Sequence, residues 1–306
     1  MTTKKVAVLL ATYNGEKYIA EFLESLLAQS FTEFELFVRD DGSTDNTLNI
    51  LTDYSDRLNI TLIDSSSRLG AAKSFIQLLI EVGEGFNCYM FADQDDVWNF
   101  DKIERAYTKL LNEKNDVPIL YCAGLELVDS SLAHISFSLP PRIISLRNAL
   151  IENIATGCTI ALNEKARELV INNLPEKLIM HDWWFYIVFS ALGQVIYDAY
   201  PALKYRQHGG NVIGAATSPV QDLKRRIKRF LSSKKDGVFS IADQAAEFDR
   251  CFGPFLTADD ARLVKSIIEG KKTMSGRFRL ALNSGFVRQK KMDTFILRIL
   301  FLLGRF

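Results

Sequence analysis

The first 130 residues alternate between two hydrophobic patterns. Compact apolar runs with branched members at 6–12, 34–39, 60–63, 88–92 and 119–127 predict strands. Apolar residues three and four apart predict helices over 18–29, 48–54, 71–82 and 102–113. In the first helix, Ile19, Phe22, Leu23, Leu26 and Leu27 share one stripe, and Thr44 or Asp45 is placed to cap the second. Strands and helices in strict alternation predict an α/β fold, a mostly parallel sheet flanked by helices on both faces. After Ser130 the order loosens. A short helix is expected at 145–152, a strand at 156–162, a helix at 164–172 and an aromatic-rich helix at 182–192. An extended return over 195–205 is broken at Pro201. The composition shifts at Ala215-Ala216-Thr217-Ser218-Pro219, and helices are expected beyond it at 220–231, 240–251, 258–269 and 294–303. The chain therefore reads as a body, 1–218, and a helical C-terminal extension, 219–306.

Charge sharpens that division. The 306 residues hold 37 basic and 37 acidic side chains, but 219–306 holds 19 basic against 9 acidic, leaving 18 against 28 for the body. An acidic body with a basic tail suggests that the tail meets an anionic surface. Lys224, Arg225, Arg226, Lys228 and Arg229 interleave with Leu223, Ile227, Phe230 and Leu231, and 295–306 adds a second apolar helix with Arg298 and Arg305. Both suit an anionic membrane leaflet. The alternative is a helical subdomain packed on the body or on a second subunit of a homo-oligomer. Nucleic acid is a weak rival, because no stacking platform or recognition motif accompanies the basic helix. The cysteines, Cys88, Cys122, Cys158 and Cys251, form no CxxC pair, which excludes a zinc finger or redox dithiol. Residues 6–10 read as a buried strand rather than a signal peptide. The expected location is cytoplasmic, peripheral on the inner face of the cell membrane.

Candidate chemistry gathers at the strand ends, where open parallel sheets bind ligands. Thr12, Tyr13, Asn14 and Gly15 follow the first strand, and Asp40-Asp41-Gly42-Ser43 the second. Arg68 follows the third, and Asp93-Gln94-Asp95-Asp96 the fourth. Three carboxylates in four residues repel one another unless a cation holds them, and hard oxygen donors suit Mg²⁺ or Mn²⁺. The plain alternative is a solvated turn capping the next helix. A second alternative is the short signature of aspartyl-phosphate phosphatases, which normally follows the first strand of its domain rather than the fourth.

Val8-Leu9-Leu10-Ala11-Thr12-Tyr13-Asn14-Gly15, Asp40-Asp41-Gly42-Ser43-Thr44-Asp45-Asn46-Thr47 and Asp93-Gln94-Asp95-Asp96 together resemble the family-2 glycosyltransferases of the GT-A fold. His181-Asp182-Trp183-Trp184 and Tyr205-Arg206-Gln207-His208-Gly209-Gly210-Asn211 narrow the resemblance to bacterial rhamnosyltransferases of O-antigen and rhamnan assembly. The resemblance covers about 4–215. It implies an inverting, metal-dependent transfer from a dTDP- or UDP-sugar, dTDP-β-L-rhamnose foremost, to a lipid-linked glycan. Thr12, Tyr13, Asn14, Glu16, Arg68 and Gln94 would line the nucleotide pocket, Asp41 would meet the base, and Asp93 the ribose. Asp95 and His208 would hold the metal, and Asp182 would be the general base. Trp98, Trp183 and Trp184 would face sugar rings, although aromatics at helical spacing are more often core. The rivals are a sugar nucleotidyltransferase and a nucleotide-sugar-binding module without turnover.

Overall fold

The computed structural model describes residues 4–65, 67–113, 116–208, 239–283 and 285–306. The expected helix 220–231 and linker 215–219 lie outside the described residues, as does the 218/219 boundary. The chain forms two compact units: Met1–Pro140 with Ile154–Asn173 and Met180–Arg206, and Pro141–Asn153 with Leu174–Ile179 and Gln207–Phe306.

The first unit is a nine-stranded sheet. Strands β1 (Lys4–Thr12), β2 (Phe34–Asp40), β3 (Ile60–Ile63) and β4 (Phe86–Asp93) run parallel in the order β3-β2-β1-β4. Beyond them lie β5 (Val97–Trp98), β6 (Ile119–Val128), β7 (His134–Phe137), β8 (Ala161–Leu162) and β9 (Gln194–Arg206). Antiparallel β8 sits between β4 and β6, and β9 pairs parallel with β6. Helices α1 (Ile19–Leu27), α2 (Thr47–Asp53), α3 (Ala71–Glu81) and α4 (Lys102–Leu111) follow the first strands in turn. A strand covered on both faces has no solvent side, so it reads as a continuous apolar run; Val6 to Leu10 are wholly buried. The expected stripe of α1 buries Ile19, Phe22, Leu23 and Leu26 against them, with Leu27 partly buried.

Three expectations change. The strand expected at 156–162 is a 3₁₀ turn, Gly157–Thr159, followed by the two-residue β8. The turn closes because the Thr156 carbonyl accepts from the Thr159 N–H at 2.8 Å and its hydroxyl at 2.7 Å. The helix expected at 145–152 shrinks to α5 (Leu146–Ala149), capped by Ser145. The return over 195–205 is one strand, β9, whose register against β6 slips where Pro201 meets Gly124. A Cβ on Gly124 would stand 3.0 Å from the Ala199 carbonyl oxygen, a tight contact with backbone, so the bulge favours glycine there.

Helices α6 (Glu164–Ile171) and α7 (His181–Leu192) complete the first unit. The second unit contains α5 with α8 (Ile241–Phe252), α9 (Ala258–Lys272), α10 (Met274–Asn283) and α11 (Lys291–Leu303). Helix α10 was not expected from the apolar pattern. Cys88, Cys122 and Cys158 are buried free thiols, in line with their apolar contexts. Among the described residues no helix is long and apolar enough to cross a membrane.

Candidate active site

The register lines up three strand ends. Thr12 pairs with Asp40, and Ala11 with Asp93, so the loops after β1, β2 and β4 leave the sheet side by side. They are stitched together by their own polar groups. The Thr12 hydroxyl donates to Asp40 Oδ1 at 2.8 Å, while Asp40 Oδ2 accepts from the Gly42 and Ser43 N–H groups. Asp40 is therefore consumed in forming the turn. Asn14 holds a left-handed φ of 47°; its N–H donates to Ser43 Oγ at 2.8 Å and its Oδ1 accepts from the Thr44 N–H at 2.8 Å. Glu16 Oε2 accepts from the Asn46 N–H at 2.9 Å. Gln94 makes a reciprocal amide pair with the Tyr13 backbone at 3.0 Å in both directions. Asn14, Glu16 and Gln94, read from sequence as pocket lining, thus also fasten one loop to the next.

Asp41 is buried, and its Oδ1 accepts from Arg39 Nη1 and the Leu69 N–H, both at 2.7 Å, while Oδ2 accepts from the Gly70 N–H at 2.8 Å. Burial opposes its charge, but the bonds from Leu69, Arg39 and Gly70 prevail and hold the carboxyl below its ordinary range. Arg39 also donates to Ser74 Oγ and the Ser67 carbonyl. Its signal in the sequence is an arginine that closes the apolar run Leu36-Phe37-Val38, immediately before two aspartates. Beyond Asp41, the exposed Arg68 guanidinium lies 3.9 Å from the centroid of the Tyr13 ring. Two stacked planar groups beside a fixed carboxylate make a flat, polar-edged wall.

The acidic cluster is denser than the sequence suggested. Asp93 is pushed up to about 7, first by burial, then by the charges of Asp95 and Asp182. Asp96 is fully buried and raised well above its ordinary value by burial, then by Asp95 and Asp93. Ligand atoms of Asp93, Asp96 and Cys158 lie within 4.8 Å of one another. Burial pushes the Cys158 thiol well up, so it is a protonated donor within reach of both carboxyls.

Two buried cations answer this acidity, and sequence reasoning gave neither a role. Lys102 Nζ stands 3.1 Å from the centroid of the Trp98 ring, has no hydrogen-bond partner among the described residues, and is lowered to about 7 by burial. Asp96 and Asp93 pull it the other way. Arg206, at the end of β9, donates through Nε to the Asp95 carbonyl at 2.9 Å and through its backbone N–H to Asp96 Oδ1 at 3.2 Å. It also donates to the Ser130 carbonyl and to Glu21 Oε2, each at 2.7 Å. A planar fork with several fixed acceptors pins the acidic loop to β9.

Asp182, nearly buried, is the second residue of α7, where the helix N-terminus favours a negative charge. Its predecessor His181 stacks on Phe75 at 4.2 Å and is lowered to about 3 by burial, so it is neutral. His208 follows Arg206 by two residues and belongs to the second unit. Trp98 and Trp184 correct the expectation of sugar stacking: both are sealed in the core, and a face that is already packed offers nothing to a ligand. Trp183 is half-buried.

Known proteins give this geometry a context. The chain is 29% identical to the dTDP-rhamnosyl transferase RfbG of Shigella flexneri, over 97% of the chain and 100% of that protein. It is 30% identical to the UDP-Glc:alpha-D-GlcNAc-diphosphoundecaprenol beta-1,3-glucosyltransferase WfgD of Escherichia coli, over 52% of the chain and 60% of that protein. The solved structure of S. aureus TarS 1-349 in complex with UDP-GlcNAc superposes with a TM-score of 0.59 at 21% identity, covering 98% of this chain and 81% of that one. That likeness shows the fold, the GT-A arrangement expected from the strand-end motifs. The sequence profile described as Glycosyl transferase family 2 matches residues 7–165, more than half of the chain, and the protein belongs to that family.

Proposed function

We propose that the protein transfers a sugar, with inversion, from a nucleotide-activated donor to a hydroxyl of a lipid-linked glycan in surface polysaccharide assembly. The observation that carries this reading is the convergence of Asp93, Asp95, Asp96 and Asp182, with Arg206 holding the loop between them. Thr12, Tyr13, Asn14, Glu16, Arg68 and Gln94 line the nucleotide side, Asp41 faces the imide edge of the base, and Asp93 holds the ribose. Asp182 takes the proton of the acceptor hydroxyl as its oxygen attacks the anomeric carbon. The bond from that carbon to the diphosphate oxygen breaks, and the nucleoside diphosphate leaves with the electron pair. Trp183 is left to contact sugar.

The donor set fits a hard divalent cation. Burial and the neighbouring carboxylates together push Asp93 up to about 7, a cluster that is stabilised when a cation shares its charge, and the protonated Cys158 is no competitor for it. Asp95 would hold Mg²⁺ or Mn²⁺, and the ion would neutralise the departing diphosphate.

L-Rhamnose from dTDP-β-L-rhamnose is the favoured donor, supported by the full-length likeness to a dTDP-rhamnosyl transferase. The diphosphoundecaprenol in the name of the WfgD glucosyltransferase supports a lipid-linked acceptor. That acceptor places the enzyme at the inner membrane face, with 1–218 catalytic and 219–306 serving membrane association or oligomerisation. A nucleotidyltransferase would carry a Gly-rich basic loop after its first strand, where this chain has Ala11-Thr12-Tyr13-Asn14-Gly15-Glu16. Titration of the purified protein with dTDP-rhamnose, UDP-glucose and GDP-mannose, with and without Mn²⁺, tests the reading. Preference for dTDP-rhamnose, dependent on Mn²⁺ and lost in Asp95→Ala, is expected. Tight GDP-mannose binding, or conversion of the nucleotide sugar with added pyrophosphate to a nucleoside triphosphate and a sugar 1-phosphate, would overturn it.

A further inference from the structure

Helices α10 and α11 pack on one another, yet each keeps a second apolar face in solvent. Along α10, Met274, Phe278 and Leu282 recur every four residues and stay exposed, Phe278 at 51% and Leu282 at 72%. The same helix buries Leu280 and Ala281. Along α11, Met292, Phe295 and Ile299 are spaced by three and four and are exposed, Met292 at 66% and Phe295 at 60%, while Leu297 and Phe301 are fully buried. A helix whose only task is to cover a core carries polar residues opposite it. Two neighbouring helices that present large apolar side chains there mark a surface that meets something.

The charges say what. Residues 271–306 hold nine Lys and Arg against a single acidic residue, Asp293. A second copy of this chain would bring the same positive surface and repel it, whereas an anionic bilayer accepts both the charges and the apolar side chains. We propose that α10 and α11 seat the protein on an anionic lipid surface. Met274, Phe278, Leu282, Met292, Phe295 and Ile299 enter the boundary between headgroups and acyl chains, and the surrounding Lys and Arg lie among the headgroups. The proposal deepens the reading above, since a lipid-linked acceptor has to be met at the bilayer, but its test needs no transfer activity.

The test is co-sedimentation of the full chain with phosphatidylcholine vesicles, with and without phosphatidylglycerol. Two surface variants accompany it, Phe278→Ser with Leu282→Ser, and Phe295→Ser with Ile299→Ser. All four positions are exposed, so both variants should melt as the parent does. Binding should require phosphatidylglycerol and fall with added salt as the attraction is screened. Each double variant should partition roughly tenfold more weakly. Equal vesicle binding by parent and variants, or binding indifferent to phosphatidylglycerol, would overturn the proposal. So would a parent that ignores vesicles and forms a dimer that the substitutions dissociate on size exclusion.

Discussion

A carboxylate that is to take a proton has to be ionised and close to its target, and for Asp182 a helix terminus favours the charge while the neighbouring Asp93 opposes it. Asp182→Asn keeps the shape and removes the carboxylate proposed to accept the proton. Transfer should fall by roughly 10²–10⁴, the usual worth of a general base, with nucleotide affinity changed only a few fold. Single-turnover kinetics beside a binding titration checks this, and turnover close to wild type would assign the proton to another group. Its neighbour His181 makes a different claim. Folded, it binds a proton only near pH 3, against an ordinary value of 6.5. Below pH 6.5 the unfolded chain takes up a proton that the fold refuses, so stability should be level above 6.5 and decline as pH drops toward 3. The slope from this one group is about 1.4 kcal/mol per pH unit. Denaturant midpoints across that range should slope less in His181→Phe than in the parent. The aspartates of this site were legible from residue type and position. Lys102 and Cys158 were not, because what makes them part of it is a proximity to Asp96 and Asp93 that only the fold creates, whereas Arg39 stands two residues before its partner Asp41. A linear pattern carries each charge but not its distance to the next.

Elements whose apolar residues face one core announce themselves, and those that pack through backbone do not. Strands β1, β2 and β4 were readable as continuous buried runs, and helices α1, α3 and α4 because their burial follows the helical period. Helix α10 was hidden because its contact with α9 rests on two glycines, Gly270 and Gly276, beside the single large side chain of Leu280. A Cβ on Gly276 would lie 2.8 Å from the Gly270 Cα and 3.0 Å from its carbonyl oxygen. Gly276→Ala gains about 1 kcal/mol of helix propensity. It also forces a methyl against backbone that no rotamer change can move, which costs about 1–3 kcal/mol. The clash should win, lowering the denaturant midpoint; a more stable variant would show that the two helices part easily. The turn at Gly157–Thr159 escaped for a related reason: it is held by the Thr156 carbonyl, and its apolar letters match a strand equally well.

At the scale of the whole molecule, the second unit is assembled from three separated stretches of chain. Its C-terminal helices are tied to the two earlier stretches by specific bonds. Gln289 Oε1 accepts from the Arg142 N–H at 2.7 Å, and its Nε2 donates to the Ile143 carbonyl at 2.6 Å. Asn148 Nδ2 donates to the Val287 carbonyl at 3.2 Å. The Glu176 N–H donates to Glu247 Oε1 at 2.6 Å, and the Ile179 N–H to Gln244 Oε1 at 3.1 Å. A cut at 218/219, where composition alone divides the chain, would leave 141–153 and 174–179 behind without these partners. It would also strip the buried Leu146, Ala149, Leu150 and Ile151 of the helices packed in their own unit. Orphaned backbone donors and newly exposed apolar side chains both favour aggregation. Deleting 219–306 should therefore reduce soluble yield and lower the unfolding temperature of what remains, measured by size exclusion and thermal melting. A soluble truncated chain that melts at the full-length temperature would show that the earlier stretches need no cover. Because truncation removes cover and surface together, the lipid-facing side chains of α10 and α11 are separable from the packing of their unit only by point substitution.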